Sequence, residues 1–207
     1  MESVRYAGKP LNESSVAMIM IHGRGASAEN ILGLSREFAT QDIAFVAPQA
    51  TNHSWYPYSF LAPIKDNEPG ISSALDVIGE LLHDISEQGI PPHKIILLGF
   101  SQGACLSLEY AARHPQRYGG ILALSGGVIG PLGMERHDAG DMQQTPVFLG
   151  CSDVDAHIPL ERVQESTRIF QSLNAEVTER IYPGMGHTIN QDEVEYIDEL
   201  LLRVTAS

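Results

Sequence analysis

Lys94-Ile95-Ile96-Leu97-Leu98-Gly99-Phe100-Ser101-Gln102-Gly103-Ala104-Cys105 is the stretch that decides the fold of this 207-residue chain. Ile95 to Leu98 are apolar without alternation, the pattern of a strand covered on both faces of its sheet. Gly99-Phe100-Ser101-Gln102-Gly103 then has the form of a sharp strand-to-helix turn, in which glycines on both sides let a strained serine sit at the apex. Ala104, Cys105, Ala111 and Ala112 follow, a small-residue helix that can pack closely on the sheet. Such a turn exposes the serine Oγ at a helix N-terminus, where the dipole favours developing negative charge. An ordinary glycine turn is the competing reading. The apolar strand before it and the small-residue helix after it favour a functional serine.

Working outward, segments of two kinds alternate. Short β-rich runs occur at 16–21, 43–47, 95–100, 121–124, 147–149 and 176–181, and helical spacing occurs at 28–39, 71–87, 102–114, 160–173 and 191–202. Ile71, Ala74, Leu75, Ile78, Leu82 and Ile85, three and four apart, make one apolar helix face. Alternation of strand and helix predicts an α/β fold with a mostly parallel central sheet and helices on both faces, because parallel strands need crossover helices. The length fits one domain over 1–207. The loops 48–70, 126–146 and 150–158 each follow a strand, and ligands in such sheets bind beyond the strands' carboxyl ends.

Composition narrows the partners. A hydrophobic content of 43% with 19% charged residues is that of a folded globular chain. The net charge of −13 repels phosphate backbones and anionic lipid, so no nucleic acid partner is expected. The apolar runs 16–21 and 94–100 are short. A bilayer-spanning helix needs roughly 20 residues, so no membrane insertion is expected. Met1-Glu2-Ser3-Val4-Arg5 lacks the basic-then-apolar pattern of a secretory signal. Two cysteines, Cys105 and Cys151, without Cys-x-x-Cys spacing, fit a reducing cytoplasm, with Cys105 a small core residue. A homodimer is left open.

A serine hydroxyl needs a base, and the chain has eight histidines. His83, His114 and His137 sit where solvated or capping roles are expected; His22 follows the first central strand, His93 precedes a strand, His53 falls in a loop and His157 lies just before Ile158-Pro159. His187 stands in Pro183-Gly184-Met185-Gly186-His187, a glycine-rich turn after the last predicted strand that can swing a side chain back over the sheet. It also follows the candidate acids, giving the order Ser, Asp, His. Asp153 and Asp155 both follow the strand 147–149 and qualify as the partner that orients the base. Asp155 is favoured because it stands where the loop turns into the helix 160–173. Asp153 could instead bond its own loop backbone. His22-Gly23-Arg24-Gly25 follows the first central strand, and the backbone N–H groups of Arg24 and Gln102 are the expected oxyanion donors.

Ile21-His22-Gly23-Arg24-Gly25, the elbow at Ser101, Asp155-Ala156-His157-Ile158-Pro159 and Gly184-Met185-Gly186-His187, in that order, resemble the phospholipase/carboxylesterase family, relatives of acyl-protein thioesterases within the α/β-hydrolase superfamily. The resemblance implies an α/β-hydrolase fold without a separate cap domain. It implies hydrolysis of small-molecule carboxylic esters by Ser101, Asp155 and His187, with no metal and no organic cofactor. The family's aspartate four residues before the proline selects Asp155 over Asp153. His22, Gly23, Trp55, Tyr56 and Ile158 are the residues expected to touch substrate. Trp55 and Tyr56 belong to an aromatic cluster with Tyr58 and Phe60, suited to lining a pocket; a loop packed on the core is the alternative for that cluster.

Trp55-Tyr56-Pro57 departs from the Trp-Phe-Asp element of thioesterase members, and the segment 64–70 is short and polar. Little apolar area is then left to repay burial of a long acyl chain at about 0.8 kcal/mol per methylene. Small to medium neutral esters are therefore expected over palmitoyl thioesters or anionic lactones, although Arg24 could attract an anion locally. With the ordinary histidine pKa at about 6.5, activity is expected to rise with pH through that range. The alternatives are a dienelactone-hydrolase-like, lysophospholipase or acyl-thioesterase activity, a silent binding protein, and a metal site at Asp153, Asp155 and His157, which lacks His-Glu-x-x-His spacing.

Overall fold

The computed structural model describes residues 3–40 and 42–206, so Met1 and Glu2, the start of the segment read for a secretory signal, lie outside it. Its strands are β1 (Val4–Gly8), β2 (Ala17–Ile21), β3 (Ala44–Pro48), β4 (Ile95–Phe100), β5 (Gly120–Leu124), β6 (Pro146–Ser152) and β7 (Glu176–Tyr182), in the sheet order β1-β3-β2-β4-β5-β6-β7. All neighbours from β3 to β7 are parallel, as the alternation predicts. β1 lies outside the strands read from the sequence; it pairs antiparallel with β3 along the edge, Val4 against Pro48 and Gly8 against Ala44.

The helices are α1 (Ala28–Gly33), α2 (Gly70–Glu87), α3 (Gln102–Arg113), α4 (Leu160–Ser172) and α5 (Gln191–Ala206). They cover both faces of the sheet. Ala17, Ile19 and Ile21 of β2 face the apolar sides of α2, α3 and α4, whereas Met18 and Met20 face α1 and α5. The period of two in a strand thus feeds two cores at once. In α2 the buried residues are Ile71, Ala74, Leu75, Ile78, Leu82 and Ile85, the face read from spacing, joined by Leu81. α2 stops where Gly89 takes φ +97°, a left-handed residue of the kind that ends helices. Pro91-Pro92 then prevent its resumption.

The single helix expected over 28–39 is instead two pieces. α1 is capped by Ser27, whose Oγ accepts from Asn30 N–H while Asn30 Oδ1 accepts from Ser27 N–H, a reciprocal cap, and it ends at Gly33. A 3₁₀ turn over Leu34–Glu37 follows. The Ser35 hydroxyl donates to the Leu32 carbonyl at 2.7 Å. Glycine is a weak helix former, and a serine hydroxyl bonded to nearby backbone competes with the helix ladder. β6 is longer than expected because Gly150, Cys151 and Ser152 continue pairing with Arg180, Ile181 and Tyr182.

α5 begins with Asn190 and Glu193 capping each other. Asn190 N–H donates to Glu193 Oε2 and Glu193 N–H to Asn190 Oδ1, both at 2.9 Å. Glu193 is fully buried, close to Gly150, and its Oε1 has no partner among the described residues. Burial pushes its carboxyl up to about 7, against the Asn190 N–H bond, which lowers it. The fold therefore favours the protonated form. The ionisation penalty is absent below the ordinary carboxyl value, grows as pH rises, and is complete above about 7. In thermal melts Glu193→Gln is expected to gain stability over the parent between about pH 4.5 and 7, by up to about 3 kcal/mol. A difference independent of pH would contradict this.

Candidate active site

The elbow is forced by close approach. Ser101 sits at φ +55°, ψ −116°, a conformation that side-chain-bearing residues rarely adopt. A Cβ on Gly99 would lie 2.2 Å from the Gly103 carbonyl group, and one on Gly103 would lie 2.0 Å from the Ile21 carbonyl oxygen. β4, β2 and α3 can meet only with both glycines present. Ser101 N–H is held by the Leu124 carbonyl at 3.0 Å, and Oγ is left at the start of α3.

The structure brings Ser101, His187 and Asp155 into one hydrogen-bonded chain. His187 Nε2 lies 2.9 Å from Ser101 Oγ, and Nδ1 lies 2.7 Å from Asp155 Oδ2. The Asp155 side chain is fully buried while His187 keeps 20% exposure. Burial would raise the Asp155 carboxyl. Hydrogen bonds from His187 and from His157 N–H at 2.8 Å, the His187 charge, and Ile158 N–H at 3.1 Å outweigh it and hold the carboxyl below its ordinary value. Donors to a carboxylate favour its charged form. An ionised Asp155 accepts from Nδ1–H, which leaves Nε2 free to accept from the serine. Cys151 Sγ lies 3.8 Å from the same Oδ2, and burial pushes its thiol up to about 12, so it remains an un-ionised neighbour.

Asp153 turns the other way. Its Oδ1 accepts from Gly184 N–H at 2.8 Å, and Ser152 Oγ accepts from Gly186 N–H at 3.1 Å, so both fasten the turn that carries His187. This longer-range bond replaces the one expected within its own loop. The two carboxylates of the metal alternative are thus engaged separately, and no group of three His, Cys, Asp or Glu side chains suited to a metal occurs among the described residues.

The Arg24 and Gln102 N–H groups have no acceptor among the described residues. Their side chains are anchors that sequence reasoning missed. Gln102 accepts from Trp55 N–H at 3.0 Å and donates to the Tyr56 carbonyl at 2.9 Å. The Arg24 guanidinium donates to Ser54 Oγ and to the Pro57 and Tyr58 carbonyls, at 3.0, 2.8 and 2.7 Å. Three of its five N–H donors are thus bonded to the loop, and Arg24 also lines the cavity over Ser101.

His22, expected to touch substrate, does not line the cavity over Ser101. It is fully buried, donates from Nδ1 to the Gly23 carbonyl at 2.7 Å and accepts Ala50 N–H at Nε2 at 3.2 Å. Burial holds its ring below the ordinary histidine value, so it is neutral. Trp55 is likewise a packing residue, its Nε1–H on the His22 carbonyl at 2.9 Å and its ring 5.1 Å from His22. Both fix the loop that carries the Arg24 N–H. Gly23, Tyr56 and Ile158 do line a cavity of about 600 Å³ over Ser101, along with Phe60, Phe100 and His157. Tyr56, Tyr58 and Phe60 of the aromatic cluster thus line the cavity, Tyr56 and Phe60 while also buried in the core, and Trp55 lies in the core without lining it.

Known proteins resemble this chain over nearly its whole length. The phospholipase/carboxylesterase family model matches residues 8–204. The crystal structure of a phospholipase/carboxylesterase from Dyadobacter fermentans is similar at a TM-score of 0.93 and 44% identity, over 98% of this chain and 97% of that one. Acyl-protein thioesterase 1 of Saccharomyces cerevisiae is 27% identical over the full length of both chains. A probable carboxylesterase of Arabidopsis thaliana is 26% identical over 92% of this chain and 80% of its own.

Proposed function

Since this chain belongs to the phospholipase/carboxylesterase family, we propose that it is a serine carboxylesterase that cleaves small to medium neutral carboxylic esters through an acyl-enzyme on Ser101. The observation that carries the reading is the chain Ser101–His187–Asp155, at 2.9 and 2.7 Å, facing a cavity beside two unengaged backbone N–H groups. Ser101 Oγ attacks the ester carbonyl as His187 Nε2 takes its proton. The carbonyl oxygen becomes an oxyanion and is held by the N–H groups of Arg24 and Gln102. Collapse breaks the ester bond, and Nε2–H protonates the departing alcohol. Water, deprotonated by the same nitrogen, then attacks the acyl carbon, releasing the acid and restoring the serine. Asp155, ionised and buried, holds the imidazole orientation in both halves.

The acyl part sits in the cavity against Tyr56, Phe60, Cys105 and Ile158, whose apolar surface suits a chain of moderate length. The relative in yeast named an acyl-protein thioesterase supports a second reading, thioester cleavage by the same steps. A panel of nitrophenyl esters from acetate to palmitate, with a palmitoyl thioester and a lysophospholipid alongside, decides between them. kcat/KM is expected to peak at short to medium esters; a steady increase to palmitate would overturn that preference. No helix among the described residues is long and apolar enough to cross a membrane. A cytoplasmic setting belongs to the same proposal, supported by the free thiols of Cys105 and Cys151, since oxidising compartments favour disulfides.

A further inference from the structure

A second cavity, of about 380 Å³, adjoins the first. Ile31, Leu34, Phe100 and Ile189 supply apolar walls, and the neutral His22 ring, Asn30 and Glu37 stand at its polar side. The two cavities share Gly23, Ala26 and Phe100 as a common wall. That wall is thin at Gly23, where even a Cβ would lie 3.3 Å from Ser101 Cβ and 3.4 Å from the Phe100 ring. Phe100 packs on His187 with ring centroids 4.9 Å apart, and Ile189 is two residues beyond His187. Ser101 and His187 line only the first cavity; the second reaches the histidine side of the site through Phe100, the ring that packs on His187.

Chemistry ties that side to one part of the substrate. In the mechanism above, the atom that must approach His187 Nε2 is the alcohol oxygen, which takes the proton as the ester bond breaks. The acyl part is directed into the first cavity by Tyr56, Phe60 and Ile158. We infer that the second cavity is the alcohol-side subsite, accepting the aryl or branched alkyl group of an uncharged alcohol. Its volume falls in the range of small-molecule sites. The only charged side chain lining it among the described residues is the exposed Glu37, whose carboxylate disfavours anionic alcohols.

This subsite rests on the esterase reading, and one experiment separates the two. Gly33 lines the cavity at the last turn of α1, with φ −54°, ψ −34°, and a Cβ there would meet nothing within 4 Å. Gly33→Phe can thus fill the space without backbone strain, and Gly33→Ala serves as its control. The parent and both variants are assayed on butyrate esters of methanol, isobutanol and benzyl alcohol, and on methyl esters from acetate to octanoate. Gly33→Phe is expected to lower kcat/KM for benzyl relative to methyl butyrate by about tenfold or more, with the acyl-length order unchanged and Gly33→Ala close to the parent. Equal losses for all alcohols, no loss, or a changed acyl-length order would overturn the subsite alone. A parent without Ser101-dependent turnover and without a fluorophosphonate adduct would overturn the esterase reading beneath it.

Discussion

Ser101→Ala and His187→Ala are each expected to lower kcat on nitrophenyl butyrate by about four to six orders of magnitude, and the double variant by scarcely more. The two side chains share one hydrogen bond of 2.9 Å, and in the proposed mechanism they act in a single proton transfer, so removing either would abolish the same step. Some acceleration over water should persist, because the Arg24 and Gln102 N–H groups and the cavity remain. Stability should separate from activity. Alanine keeps the Cβ of serine at φ +55°, and His187 is partly exposed, so melting temperatures should stay near the parent's. Loss of activity together with loss of fold would make these side chains structural.

Asp155→Asn is expected to reduce kcat by about four orders of magnitude while leaving the loop in place. An amide there can present its N–H to His187 Nδ1, which drives the proton to Nε2 and removes the acceptor that Ser101 needs. Asp153→Asn should keep most activity, since the amide oxygen can still accept from Gly184 N–H. Parallel kcat measurements on the two variants test the assignment, and an inactive Asp153→Asn beside an active Asp155→Asn would reverse it.

The central strands and the elbow were legible because their signals are local. Ile95 to Leu98 are apolar on both faces, and Gly99 and Gly103 stand where only backbone fits. β1 left no such signal: it pairs only with β3, and Arg5 and Tyr6 are solvent-exposed. Asp155 and His187 were legible from chain order and family pattern. The direction in which a side chain points was not. His22 and Trp55 lie beside the site in sequence yet turn into the core to bond one another's loop, and Arg24 bonds the 54–58 loop through three of its N–H donors. The second cavity was also invisible to the sequence, because Leu34, Phe100 and Ile189 meet only through packing of α1 and the His187 loop on the sheet.

The central claim is a covalent intermediate on Ser101 activated by His187. Its most direct test is intact-mass analysis and peptide mapping of the folded protein after treatment with a fluorophosphonate, alongside His187→Ala. One adduct per chain is expected, located at Ser101 and formed far more slowly in the variant. An adduct at another residue, or none under conditions in which the parent hydrolyses esters, would contradict it.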